Sequence, residues 1–424
     1  MRKTTLSLLF TLVNLSFILA QTTPQELFDT PEKTAGVHYA YPAKDITAFT
    51  PVPKGYEAFY ISHFGRHGSR YLISDNDYKD VINLFEDAAK NGALTDLGKD
   101  ALKRLQQLWT EVEFRGGDLS PLGQREQRGI AERMYVNYPK VFAKEAQVEA
   151  SATSVLRVAL SMDAFCERIK EFNPNLQISR NAGIKWQQYL NYHTKEAIAF
   201  RSAKDTWKED FLKFEAAHTQ PDRLVNSLFS NSDYILKKVN PDDLMKKLFA
   251  IAGGMQNTET KLSFYDLFEK QELFDLWQTS NYRLYVNDAN AAVNNGIMFE
   301  NQKPTLKNIL DNANKIIASK GKGATLRFAH DGNLIPLAML LHLNGSYNSI
   351  SDSNKFYEAW SSFKIAPMAG NIQIVFFRKR KSDDILVKFL LHEKEILVPT
   401  IQTDKAPYYH WKDVEKYYKS LLST

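Results

Sequence analysis

The sequence predicts an α/β protein with a largely parallel sheet flanked by helices and interrupted by a mostly helical insertion. Three observations predict it. Strand-like runs alternate with helical patterns over most of the chain, the middle third shows helical periodicity without clear strands, and two apolar runs near the C-terminus are joined by a charged turn.

The first twenty residues carry basic Arg2 and Lys3, an apolar stretch from Leu6 to Leu19, and small Ala20 before polar Gln21. This pattern is that of a secretory leader, so 1–20 are set aside from the fold. Its apolar part is too short for a convincing anchor, and no later segment approaches the roughly 20 apolar residues of a membrane span. Cys166 is the only cysteine, so no internal disulfide is available. An exported chain without bridges must rely on its core, which points to the periplasm of a Gram-negative bacterium.

The first strand, "YEAFYISH" (Tyr56 to His63), runs into Arg66-His67-Gly68-Ser69-Arg70. The second, "AQVEASA" (Ala146 to Ala152), is followed by "TSVLR", where Thr153 and Ser154 are candidate caps and Arg157 falls in the first turn of a helix. Residues 165–321 form the expected helical cap. One helix there has Asn240 as N-cap, Pro241 at N1, Leu244, Leu248 and Ile251 on one face, and Gly253-Gly254 at its end. The core, 21–164 and 322–424, resumes with "ATLRFAH" (Ala324 to His330), after which Asp331, Gly332 and Asn333 open a helix. "NIQIVFF" and "ILVKFLL", joined by "RKRKSDD", read as an antiparallel hairpin with a solvated turn. "LTDLG" (94–98) and "LSPLG" (119–123) each open a helix through Thr95 and Ser120.

Ligands of α/β sheets lie beyond the carboxyl ends of strands. Three such ends carry Arg66, Arg70, Arg157, His67, His330 and Asp331. Arginine presents a planar fork that matches phosphate oxygens, and Gly68 permits a tight turn or close approach. A neutral His67 could attack phosphorus, while Arg66, Arg70, Arg157 and His330 clamp the charge that spreads over the non-bridging oxygens. Asp331 is the carboxyl group placed to protonate the leaving oxygen, which predicts activity in acid, where it is protonated. Taken singly, each residue also has a structural reading: salt-bridge partner, core histidine or helix cap. A non-catalytic phosphate-binding protein would keep the basic pocket but have no use for a proton donor.

"RHGSR", "TSVLR", "FAHDGN" and the closing "AGNIQIVFF" and "VKFLLHEKEILVP" together resemble the histidine acid phosphatases, branch 2 of the histidine phosphatase superfamily. The N- and C-terminal motifs look most like the phytases and multiple inositol-polyphosphate phosphatases. The resemblance implies a phosphoglycerate-mutase-like core with a helical cap, a phosphomonoesterase needing no metal or other cofactor, His67 as nucleophile and Asp331 as proton donor. It also implies Arg66, Arg70, Arg157 and His330 as phosphate ligands. His330-Asp331-Gly332 stands where many inositol-polyphosphate relatives have His-Ala-Glu, and Gly332 replaces a common hydroxyl residue. A general sugar-phosphate or broad-specificity acid phosphatase is the competing reading.

Lys185, Lys195 and Arg201 either line a basic pocket for a polyphosphorylated ring or sit on a solvated helical face. The partner expected is a small phosphate ester. The formal charge of +5 falls to +3 without Arg2 and Lys3, too mild to argue for nucleic acid, and no obligate protein partner is inferred. No metal motif occurs, and His38, His193, His218, His342, His392 and His410 are dispersed. His63, four residues before His67, either reaches the site's rim or takes a buried or strand-end structural role.

Overall fold

The computed structural model describes residues 23–423 except 46 and 47, so the expected leader lies outside the described residues. Eight strands form one mixed sheet: β1 Tyr56–Arg66, β2 Gln147–Ala152, β3 Ile178–Ala182, β4 Gly323–Ala329, β5 Asn371–Lys379, β6 Ile385–Leu391, β7 Lys394–Ile396 and β8 Tyr408–His410. Their order is β3-β2-β4-β1-β5-β6-β7, with β8 paired to β6. The first four in that order run parallel, as helical crossovers require. β5 enters antiparallel to β1 and makes the predicted hairpin with β6.

Residues 165–321 are not free of strands, contrary to the sequence reading. β3, "ISRNA", lies within them and pairs with β2 at the sheet edge. With one face solvated and a single apolar residue larger than alanine, it offers no alternation to detect.

Alternate side chains of the sheet feed two cores. Tyr60, Phe64, Ile372 and Phe376 pack with helices Lys303–Ala318, Asp331–Leu340 and Trp411–Ser423. On the opposite face, Ile61, Leu326, Phe328 and Val375 pack with helices Pro121–Asn137 and Leu156–Phe172. A third core contains no strand residue. It joins helices Asn76–Lys90 and Asp96–Val112 to later ones that include Pro241–Gly254. The Asn240 side chain caps that last helix by accepting from the Asp243 amide at 3.2 Å, as predicted. Such a cap contributes about 1 kcal/mol. Among the described residues, no helix is long and apolar enough to cross a membrane.

Register places the site. Arg66 pairs with Ala329 and Ala152 with Phe328, so β1, β4 and β2 end level with one another. The His67 amide donates to the Ala329 carbonyl at 3.1 Å, and the Thr153 amide to that of Phe328 at 3.3 Å. His67, Thr153 and His330 thus emerge side by side from three adjacent strands.

Candidate active site

The His67 ring is buried, with Nδ1 2.9 Å from the Gly68 carbonyl. A proton on Nδ1 satisfies that carbonyl and leaves Nε2 with its lone pair. Burial, then the fields of Arg66 and Arg157, hold the ring well below the ordinary histidine range, so it is neutral. The His330 ring stands 5.8 Å away, centroid to centroid, nearly perpendicular. Its Nε2 meets Thr153 Oγ1 at 3.2 Å, and burial pushes its pKa down to about 4.

Arg66 is fully buried. Its Nη1 donates to the carbonyls of Val37 and, at 2.8 Å, Ala366, while Nη2 reaches Asp331 Oδ2 at 3.4 Å. Arg70 donates to the Tyr71 carbonyl at 2.7 Å and lies 3.1 Å from Nε2 of His38. The Nε groups of Arg66, Arg70 and Arg157 are all buried without a hydrogen-bond partner. The charges of Arg66, Arg157 and Arg70 all act on His67, so the three guanidinium groups converge on one imidazole.

Asp331 occupies the first turn of helix Asp331–Leu340, behind His330 as N-cap. Burial favours its protonated form. The fields of Arg66 and Arg70 outweigh that and hold the carboxyl well below its usual range. The expectation that acid solution alone keeps Asp331 protonated is therefore corrected, because the arginines stabilise its charge. Three arginines against one carboxylate leave a formal charge of +2 when the histidines are neutral, which a phosphoryl dianion balances.

The loop is held from behind by residues the sequence reading passed over. Glu126 accepts from the Ser69 amide at 2.7 Å and the Ser69 hydroxyl at 2.8 Å. Gln127 donates to the Arg66 carbonyl at 2.9 Å. A Cβ on Gly68 would lie 2.3 Å from the Gly123 carbonyl oxygen, and one on Gly123 would lie 2.2 Å from that of Ser69. Both glycines are therefore required by close backbone approach. Ser120 caps its helix as expected, and "LSPLG" turns out to be the seat of the histidine loop.

Thr153 and Ser154 do not cap the Arg157 helix as expected, since Val155 occupies the cap position. The Thr153 hydroxyl is taken by His330, and Ser154 Oγ by Gln187 Nε2 at 2.6 Å. Ser161 supplies the link instead. It accepts from the Gly68 amide at 3.0 Å and donates to the Arg157 carbonyl at 2.8 Å, tying the arginine's helix to the histidine loop.

Of the three predicted substrate residues, Lys185 and Lys195 are exposed, with Lys185 Nζ 5.2 Å above the Trp186 ring. Arg201 instead reaches inward to Asp288. His63 is buried between Phe165 and Phe328, a structural residue. Among the described residues, no three His, Cys, Asp or Glu side chains gather to hold a metal ion.

Residues 64–392 match the model of the histidine phosphatase superfamily, branch 2. No curated protein matches the sequence. Among solved structures, a Bifidobacterium longum multiple inositol polyphosphate phosphatase in complex with inositol hexasulfate superposes with a TM-score of 0.75 at 17% identity, covering 90% of this chain and 97% of that one. The phytase from D. castellii gives 0.64 at 13% identity, with 92% and 85% covered. Hafnia alvei phytase gives 0.54 at 11% identity, with 88% and 98% covered. These likenesses are of fold, and with the family match over most of the sequence they lead to one conclusion: the chain belongs to branch 2 of the histidine phosphatase superfamily and is a phosphatase.

Proposed function

We propose that the protein is an exported phosphomonoesterase that works through a phosphohistidine on His67. The observation that carries this reading is the convergence of Arg66, Arg157 and Arg70 on a neutral imidazole whose Nε2 keeps its lone pair. Nε2 attacks phosphorus, the Nε2–P bond forms, and the bond to the leaving oxygen breaks. Arg66, Arg70, Arg157 and His330 bear the charge on the non-bridging oxygens. Asp331 gives the leaving oxygen its proton. Water then attacks phosphorus, returns a proton to Asp331, and releases His67 and phosphate.

The proton must first reach Asp331, since the arginines hold it as a carboxylate. A phosphomonoester has a second pKa of about 6, so below that it arrives as a monoanion carrying a proton. Its charge also offsets the arginine field and raises the affinity of Asp331 for that proton. Acid activity on this reading comes from the substrate's protonation more than from the free enzyme's.

Inositol polyphosphates are one substrate class, favoured by the fold shared with the inositol polyphosphate phosphatase and the phytases. Sugar phosphates are the second reading, favoured by Arg201, whose charge is already matched by Asp288. The leader-like residues 1–20 favour export to the periplasm, which cell fractionation tests. The deciding experiment traps acid-quenched protein after mixing with labelled substrate. Label is expected on the parent and absent from His67→Ala, and label persisting on that variant would put the nucleophile elsewhere.

A further inference from the structure

Asp288 ends helix Lys270–Asp288 and is only 9% exposed. Its Oδ1 receives Arg201 Nη2 at 2.5 Å. The rest of that guanidinium is also engaged, with Nε on the Asn287 carbonyl at 2.9 Å and Nη1 3.2 Å from Nδ1 of His193. Arg201 therefore has little left with which to bind a second phosphate. Oδ2 of Asp288 has no hydrogen-bond partner among the described residues.

Gly332 follows the proton donor in helix Asp331–Leu340. A Cβ placed there would meet one atom within 4 Å, Oδ1 of Asp288 at 3.6 Å, an ordinary contact. Neither packing nor backbone conformation requires glycine at this helical position. Asp288 therefore stands beside the residue that follows the proton donor. The leaving alcohol must present its ester oxygen to Asp331, which brings the atoms beside that oxygen toward Asp288.

We propose that Asp288 is a specificity-determining residue that accepts hydrogen bonds from hydroxyl groups of the leaving alcohol, making phosphomonoesters of polyols and sugars the preferred substrates. This rests on the phosphatase reading above. An ionised carboxylate accepts hydrogen bonds only, which suits hydroxyl groups and repels a neighbouring phosphate. Burial raises Asp288 to about 6 against the pull of Arg201, so near that pH its protonated form can also donate. Asp331 and Arg283, the latter on the same helix, are the other charges that reach it.

The test compares kcat/KM for glycerol 2-phosphate and isopropyl phosphate, which share a carbon skeleton and differ in two hydroxyls, with p-nitrophenyl phosphate as a third substrate. The parent is expected to favour glycerol 2-phosphate over isopropyl phosphate at least tenfold. Asp288→Ala should reduce that ratio tenfold or more, and Gly332→Ala, whose methyl would stand 3.6 Å from Oδ1 of Asp288 and crowd a hydroxyl there, at least threefold. Should Asp288→Ala fail to fold, Gly332→Ala decides alone. A parental ratio near one, or a ratio unchanged in the folded variants while p-nitrophenyl phosphate is still hydrolysed, overturns the role of Asp288. Failure of the parent to hydrolyse any of the three would instead overturn the phosphatase reading beneath it.

Discussion

Arg70 and His38 stand 3.1 Å apart, Nη2 to Nε2, and this contact orients one of the arginines proposed to bind phosphate. Burial, with Arg70 and Arg66 close by, pushes the His38 pKa down to about 3, so the ring is neutral and Nε2 can accept from the guanidinium. The Arg66 contact to the Val37 carbonyl and the Asn257 side chain, 3.0 Å from the His38 carbonyl, pin the end of the 3-10 helix that presents it. His38 is thus a positioning residue for Arg70.

His38→Ala is expected to raise the inhibition constant for inorganic phosphate about tenfold, the loss of roughly 1.4 kcal/mol from a hydrogen bond to a charged group. His38→Gln, which keeps an acceptor, should recover much of it. Equal weakening in both variants, with matching loss of thermal stability, would reduce His38 to a packing residue.

The carboxylate state of Asp331 makes a prediction about pH. kcat/KM reports free enzyme and free substrate. Asp331 is depressed in the free enzyme, so it is ionised throughout mildly acidic solution and contributes no limb near its ordinary pKa. The fall in kcat/KM toward alkaline pH should instead follow the substrate's second ionisation, near 6. Esters with different second pKa values are expected to shift that limb accordingly. A limb fixed across substrates would assign it to a protein group. Asp331→Asn should slow esters with poor leaving groups by roughly a hundredfold and affect p-nitrophenyl phosphate much less.

How far the site was legible depended on where each residue sits relative to a strand. His67, Arg66, Arg70, His330 and Asp331 directly follow or end β1 and β4, so their convergence needed only a parallel sheet. His38 could not be placed in this way, because it ends a short 3-10 helix, Pro31–His38, that meets the site through tertiary contacts alone. Asp288 is similar, brought in by the end of a long helix from another part of the chain. Glu126 and Gln127 did leave a signal. On helix Pro121–Asn137 they share the buried stripe of Gly123, Ile130, Ala131 and Met134, and polar side chains on an apolar stripe call for a buried partner. β3 left none, being short, polar and at the edge.

That stripe yields its own prediction. Gly123→Ala would place a methyl 2.2 Å from the Ser69 carbonyl, where backbone must move. The histidine loop should separate from its helix, lowering kcat by a hundredfold or more through misplacement of His67. Ser161→Ala is the milder test of the same support. It removes the acceptor of the Gly68 amide, at a cost of about 1–3 kcal/mol, and slackens Arg157 relative to His67. Single-turnover kinetics should show slower phosphorylation in both variants, and unchanged rates would mean that the loop holds its shape unaided.

His63 carries a prediction for stability rather than catalysis. Its ring is 1% exposed between Phe165 and Phe328, and neither nitrogen has a hydrogen-bond partner. Burial, aided by Arg327, lowers its pKa to about 3. A base depressed in the folded state stays neutral there, while the unfolded chain takes up its proton as pH falls below about 6.5. The unfolded state then binds more protons, so stability falls with decreasing pH across the window from about 6.5 down to about 3. At pH 4.5 this one group costs about 2–3 kcal/mol relative to neutral pH, in addition to its two unpaired nitrogens. His63→Leu removes both penalties, and the space is tight, since a Cβ on Gly65 would lie 2.6 Å from the ring's Cε1. The variant is expected to melt higher than the parent, with the gap widening as pH falls from 7 to 4.5. A constant gap across that range would mean that His63 finds its proton in the folded state, and a lower melting temperature at every pH would mean that the imidazole fills its site better than an aliphatic chain.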